Sequence, residues 1–149
     1  MPGYQIDNYI TTRGNVHIVK INDLKNIKNA NRFFRKASYN LSYISKKELG
    51  KDFNFVGKNH EYNERIYLIL EDKEIKGYIL FKKLNENYIL ENIYIVPFNR
   101  RKHYATFLLE ESLKDLGETI ASIIYRVPLS EKFEKLLSSK GLIEVKTLS

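Results

Sequence analysis

Arg100, Arg101, Lys102 and His103 stand between an apolar, β-branched run at 93–96 and a segment whose apolar residues recur at helical spacing from Ala105 onward. A helix start leaves its first backbone N–H groups without intrahelical acceptors and carries the positive end of the helix dipole, so a phosphate fits there. Cations at that end oppose the dipole unless an anion compensates them. The joint therefore predicts anion binding, against the alternative of a solvated basic loop. Other chemistry is sparse. His17, His60 and His103 are far apart and lack metal-ligand spacing. With no cysteine, disulfides, thiolate metal sites and cysteine nucleophiles are excluded. No Gly-rich nucleotide loop of the GxGxxG or GxxxxGK type occurs.

The elements that must position this joint follow from hydrophobic period and punctuation. Residues 16–21 alternate apolar and polar and predict a strand, with residues 1–13 as an N-terminal extension that could supply a hairpin partner. Asn22 and Asp23 are helix caps, and Ile27, Ala30, Phe34, Ala37 and Leu41 then recur at three- and four-residue spacing. A second, short helix is expected near 45–49, followed by a polar loop to residue 63. Segments 65–70, 75–82 and 88–96 are rich in Ile, Tyr and Leu and are joined by short polar connectors, which predicts an antiparallel meander. Ala105, Leu108, Leu109, Ser112, Leu113 and Leu116 form one face of a helix closed by Gly117. A strand at 120–125, a helix at 129–140 and a strand after Gly141 complete the plan. The expectation is one α/β domain over 1–149, with a mixed, mostly antiparallel central sheet flanked by about four helices.

Ile95-Val96-Pro97, then Arg100-Arg101-Lys102-His103-Tyr104-Ala105, then Leu108-Leu109 resembles the acetyl-CoA signature of the GNAT superfamily of N-acyltransferases. That signature reads V-x-P, [Q/R]-x-x-G-x-[G/A] and a Leu-Leu helix, and Arg100 and Ala105 take the ends of its loop. The resemblance covers roughly residues 16–147, because the order of elements is also that family's. It implies transfer of an acetyl group from acetyl-CoA, as acyl-donor cosubstrate and without a metal, to a primary amine of a small molecule or peptide. It further implies that Ile93, Tyr94 and Ile95 line a pantetheine channel beside a splayed strand. The backbone of Arg101, Lys102, His103, Tyr104, Ala105 and Thr106 would cradle the pyrophosphate, with Arg100 opening the loop. Aligning Gly141-Leu142 with the family's Gly-Phe pair places Ser130 where a cofactor-contacting Asn is common, and Leu137 where a Tyr protonates the departing thiolate.

Two positions depart from the pattern. His103 replaces a glycine; either its side chain turns outward while its amide still binds, or the loop has lost the cofactor. Leu137 removes the usual acid and reads as core, leaving that proton to water, Tyr104 or Tyr125. Glu91 is the candidate general base, since alternation places 91, 93 and 95 on one strand face; the alternative is an exposed strand carboxylate. Backbone N–H near Tyr94 or Ile95 would meet the oxyanion.

The net charge of +7, from 25 Lys and Arg against 18 Asp and Glu, favours anionic partners. A compositional bias toward Lys, Asn, Ile and Tyr, as from an AT-rich genome, gives the same total without selection for any partner. Between Lys20 and Lys58 ten cations face three acids, which suits an amine that also carries carboxylate or phosphate. The alternative is a catalytically impaired binding module that uses the basic surface for a partner protein or nucleic acid. No nucleic-acid motif and no interleaving of aromatic and basic residues is evident, so nucleic acid is not expected. No leader or membrane-spanning run is evident, and the expected location is cytoplasmic. The sheet edge is left to residues 1–13 or to a second subunit of a homodimer.

Overall fold

A computed structural model describes residues 9–21, 32–50, 62–72, 74–97, 99, 103–118 and 124–125. They form strands β1 (Tyr9–Arg13) and β2 (Val16–Lys20), helix α1 (Arg32–Leu49), strands β3 (Glu64–Glu71), β4 (Glu74–Leu84) and β5 (Asn87–Ile95), helix α2 (Tyr104–Leu116) and strand β6 (Ile124–Tyr125). The strands make one six-stranded sheet in sequence order. Pairing is antiparallel from β1 to β5 and parallel between β5 and β6, as a strand–helix–strand crossover requires.

Alternation along the strands feeds two cores, one on each face of the sheet. Ile18, Tyr67, Ile69, Ile79 and Phe81 pack under Phe107, Leu108 and Leu113 of α2. On the other face Val19, Ile66, Leu68 and Tyr78 pack under Ala37 and Leu41 of α1. Strand β3, buried from Ile66 to Leu70, supplies both and is the spine of the fold.

Two helices flank the sheet among the described residues, not about four. The helices expected to end near Leu41 and to restart near residue 45 are one continuous α1. The apolar period weakens from Ser42 onward, and serine can compete for backbone hydrogen bonds. In the folded chain Ser45 Oγ donates to Ser42 C=O at 3.0 Å, so the hydroxyl is satisfied inside the helix and the turn continues. Ser38, Ser42 and Ser45 are buried against the sheet, where larger side chains would hold the helix further off. Gly50, at φ +69°, follows the end of α1, and its N–H donates to Lys46 C=O at 3.0 Å. The helix expected over 129–140, the strand after Gly141 and the caps Asn22 and Asp23 lie outside the described residues.

Helix α2 is fixed at both ends. Its C-terminus closes on Gly117 in the left-handed region, with Glu118 N–H donating to Leu113 C=O at 2.9 Å. Within the last turn Asp115 accepts from the Tyr67 hydroxyl at 2.5 Å and pairs with Lys20 at 3.2 Å, tying α2 to β2 and β3. Burial, and then the bond to Asp115, push the Tyr67 hydroxyl well above its ordinary value near 10; burial does the same to Tyr78. Both tyrosines are favoured neutral in the fold. Above about pH 10 the unfolded chain releases tyrosine protons that the folded chain keeps, so stability is complete below that pH and falls as pH rises. Urea midpoints should be flat from pH 8 to about pH 10 and drop steeply beyond it, and Tyr67→Phe should soften the drop. A flat profile to pH 11 in the wild type would contradict this account.

Candidate active site

The site is built where β5 runs out and α2 begins. Strand β5 pairs with β4 through Ile93↔Ile79, Tyr94↔Tyr78 and Ile95↔Gly77. Val96 N–H donates to Lys76 C=O at 2.9 Å. Backbone direction alternates along a strand, so Tyr94 shares the β4-facing edge with Val96, and Ile93 and Ile95 turn their N–H groups toward β6. Of the two positions expected to supply an oxyanion donor, Ile95 has the N–H on the side of the crossover strand. The described pairing with β6 is Ile89↔Ile124 and Leu90↔Tyr125, and β5 continues for five residues past it.

Glu91 sits at an irregularity that sequence alternation did not anticipate. Leu80 pairs with Asn92 and Phe81 with Leu90, which leaves Glu91 as the extra residue of a β-bulge. The parity of the strand changes there: Tyr88 and Leu90 join the α2-side core, and so do Ile95 and the half-buried Ile93. Alternation relating 93 to 95 therefore does not carry across the bulge to fix the direction of Glu91. Bulges re-aim a side chain locally, and this one places a half-buried carboxylate midway along β5.

Tyr94 contributes its backbone to this edge and its side chain elsewhere. The phenol is 4 % exposed in the α1-side core, and its hydroxyl donates to Glu48 Oε1 at 2.9 Å near the end of α1. The C-terminal end of α1 is thereby pinned over β5.

A glycine missed by the sequence reading holds β5 in place. A Cβ on Gly77 would lie 2.4 Å from Tyr94 O and 2.5 Å from Ile95 Cδ1, so the two strands approach closely where the site residues lie. An isolated glycine inside a strand pattern is the signal that could have found it.

At the start of α2, His103 is the N-cap, with φ +61° and ψ +25° and no side-chain capping bond. This is the left-handed conformation that glycine adopts freely and that histidine tolerates better than most residues. The imidazole is exposed, and Phe107 N–H makes the first helical bond to His103 C=O at 3.0 Å. The N–H groups of Tyr104, Ala105 and Thr106 precede that bond, and no acid occupies the first turn. These features fit a pyrophosphate. Ala105 and Thr106 are half-buried, whereas Arg100, Arg101, Lys102, Ser130 and Leu137 lie outside the described residues.

Tyr104 is 6 % exposed and its hydroxyl donates to Glu71 Oε1, while buried Asn99 donates to the same hydroxyl. Burial, then the bond to Glu71, push the hydroxyl up to about 12. A proton held this tightly and directed at the β3–β4 hairpin makes Tyr104 an anchor of the loop rather than an acid for a leaving group. On the opposite face a groove of about 410 Å³ runs between α1 and the start of β4, lined by Lys36, Asn40, Tyr43, Ile75, Lys76 and Val96. Among the described residues no group of three or more His, Asp or Glu could hold a metal ion, and no helix is long and apolar enough to cross a membrane.

The profile of the Acetyltransferase (GNAT) family matches residues 24–129. No curated protein matches the chain by sequence. Among solved structures, the acetyltransferase domain of xEco2 superposes with a TM-score of 0.66 at 13 % identity, over 95 % of this chain and 95 % of that one. The ribosomal-protein-alanine N-acetyltransferase of Brucella melitensis biovar Abortus 2308 gives 0.59 at 15 %, over 90 % and 96 %. The aminoglycoside acetyltransferase meta-AAC0020 from an uncultured soil metagenomic sample gives 0.60 at 11 %, over 97 % and 96 %. Identities this low carry the fold alone; with a family profile spanning more than half of the sequence, this chain belongs to the GNAT family of acetyltransferases.

Proposed function

We propose that the protein is an N-acetyltransferase that uses acetyl-CoA to acetylate a primary amine. The observation that carries this reading is the junction itself, in a chain of this family. Strand β5 turns its Ile95 N–H toward the crossover strand, and α2 then opens through a left-handed residue onto a first turn without acids. Acetyl-CoA brings the acyl group already activated as a thioester. Glu91 takes a proton from the substrate ammonium, directly or through water, which frees the lone pair to attack the thioester carbonyl. Ile95 N–H meets the negative charge that develops on the carbonyl oxygen. As the new C–N bond forms and the C–S bond breaks, the nitrogen releases its second proton to water and water returns one to the sulfur, because Tyr104 holds its own proton toward Glu71. A thiolate is a tolerable leaving group, so the absence of a dedicated acid slows this step without forbidding it.

The pyrophosphate would lie on the backbone of residues 101–106, with Arg100 and Ser130 as further contacts. The acceptor would enter on the α1 side and carry an anionic group, in keeping with ten cations against three acids between Lys20 and Lys58. By their names, two of the similar structures act on a ribosomal-protein alanine and on aminoglycosides, which are amines of very different size.

Thermal unfolding with acetyl-CoA tests the reading. At a hundredfold excess over its Kd the ligand should stabilise the fold by about 2.7 kcal/mol, a rise in Tm of several degrees. No shift at millimolar acetyl-CoA removes the enzyme reading. His103→Gly separates the two roles of that residue: the variant should gain roughly 1 kcal/mol from relief of the left-handed backbone, less the entropy glycine loses on folding. If it keeps the acetyl-CoA shift, the amide is what binds; if it loses the shift, the imidazole itself is a phosphate ligand.

A further inference from the structure

The exposed face of α1 carries a pattern that the sequence hides. At 3.6 residues per turn, Tyr39 and Tyr43 stand one above the other along the middle of that face. Arg35 and Lys46 flank them on one side and Lys36 and Lys47 on the other, all four exposed. The rings are 66 % and 63 % exposed, and Lys47 Nζ lies 5.3 Å from the centroid of Tyr43. Solvated helix faces ordinarily mix acids and bases at i,i+4 spacing. Here the helix has one acid, Glu48, and its carboxylate accepts from the Tyr94 hydroxyl at 2.9 Å. The result is an aromatic ridge between two rows of cations. The groove of about 410 Å³ adjoins it along Lys36, Asn40 and Tyr43, with an apolar floor at Ile75 and Val96; Lys76, also in its lining, is already paired with Glu74 at 2.6 Å.

From this arrangement we infer that the outer face of α1, with the adjoining groove, is a docking surface for single-stranded nucleic acid. Phosphates pair with the flanking rows, and bases stack on Tyr39 and Tyr43 or enter the groove. Stacking on aromatic faces combined with a track of cations is how single strands are held without sequence preference. An acidic peptide would use the cations but, without a planar base at each repeat, would gain less from the two tyrosine faces. A duplex keeps its bases stacked on one another and offers the tyrosines no free base face. This surface lies on the face of the sheet opposite α2, the side on which the acceptor is proposed to enter, so a bound strand and an anionic acceptor would share its cations.

The test is fluorescence anisotropy of the full chain with a labelled single-stranded RNA of about 12 nucleotides, a span within the range that such surfaces cover. Binding is expected, weakening as salt rises. Tyr39→Ala and Tyr43→Ala should each weaken it roughly tenfold at unchanged salt slope, with Tyr→Phe at either position retaining it. The pair Lys36→Glu and Lys47→Glu should weaken it further and flatten the slope. Melting temperatures should be close to wild type, because these side chains are exposed. Four results would overturn the inference: no binding at low salt, tyrosine variants that bind like wild type, an acidic peptide of equal length competing as well as RNA, or displacement of the RNA by acetyl-CoA. The last would put the strand on the basic loop at 100–103 instead.

Discussion

Gly77→Ala is expected to destabilise the protein by about 2–3 kcal/mol and to abolish the stabilisation by acetyl-CoA. The added methyl would lie 2.4 Å from Tyr94 O, a backbone atom within the β4–β5 ladder that cannot rotate away. It would also lie 2.5 Å from Ile95 Cδ1, a flexible side-chain end that can move at little cost. The unavoidable adjustment is a shift of β5 away from β4 at Tyr94 and Ile95, where the proposed oxyanion donor and channel backbone lie. The cost is that of overpacking a close-packed interior, and for a chain of this size it lowers Tm by roughly 5–10 °C. Differential scanning calorimetry with and without acetyl-CoA checks both parts. A variant that melts like wild type would mean that β4 and β5 do not approach this closely. One that melts low yet keeps the full ligand shift would mean that the residues opposite Gly77 are not part of the cofactor site.

The features that set this site divide by whether they follow a period. The three-strand meander and the face of α2 were legible because each repeats at two or 3.6 residues over several turns. The strand-to-helix joint was legible because a β-branched apolar run gives way to helical spacing across Pro97. The bulge was missed because one extra residue reverses the parity of everything beyond it, although the polar pair Glu91-Asn92 between Leu90 and Ile93 marks the reversal. The unity of α1 was missed because the apolar period weakens from Ser42 onward, where Ser42 and Ser45 rather than large apolar residues take the buried positions. The aromatic-basic face went unseen because Tyr39 and Tyr43 are neighbours only on the helix surface; along the chain Asn40, Leu41 and Ser42 separate them. His103 illustrates the reverse: its type seemed a departure, and its φ of +61° is one that histidine tolerates better than most residues.

Glu91→Gln should lower kcat/KM for an amine acceptor by about 10²- to 10⁴-fold at neutral pH, the range that a positioned general base contributes. Glutamine has the same length and keeps the strand polar at the bulge, so Tm and the affinity for acetyl-CoA should stay near wild type. The loss should depend on pH in a particular direction. Without the carboxylate the variant must wait for an amine that has already lost its proton in solution, so its rate should rise about tenfold per pH unit until the free amine dominates. Wild-type turnover, with the proton removed at the site, should depend less on pH over the same span. A variant whose rate falls equally at every pH would point to distortion of the bulge rather than loss of a base. Asn92, which follows immediately and pairs with Leu80 on β4, is an amide and cannot take over as the base. Wild-type turnover in Glu91→Gln across the whole pH range would take this carboxylate out of the mechanism and leave solvent as the base.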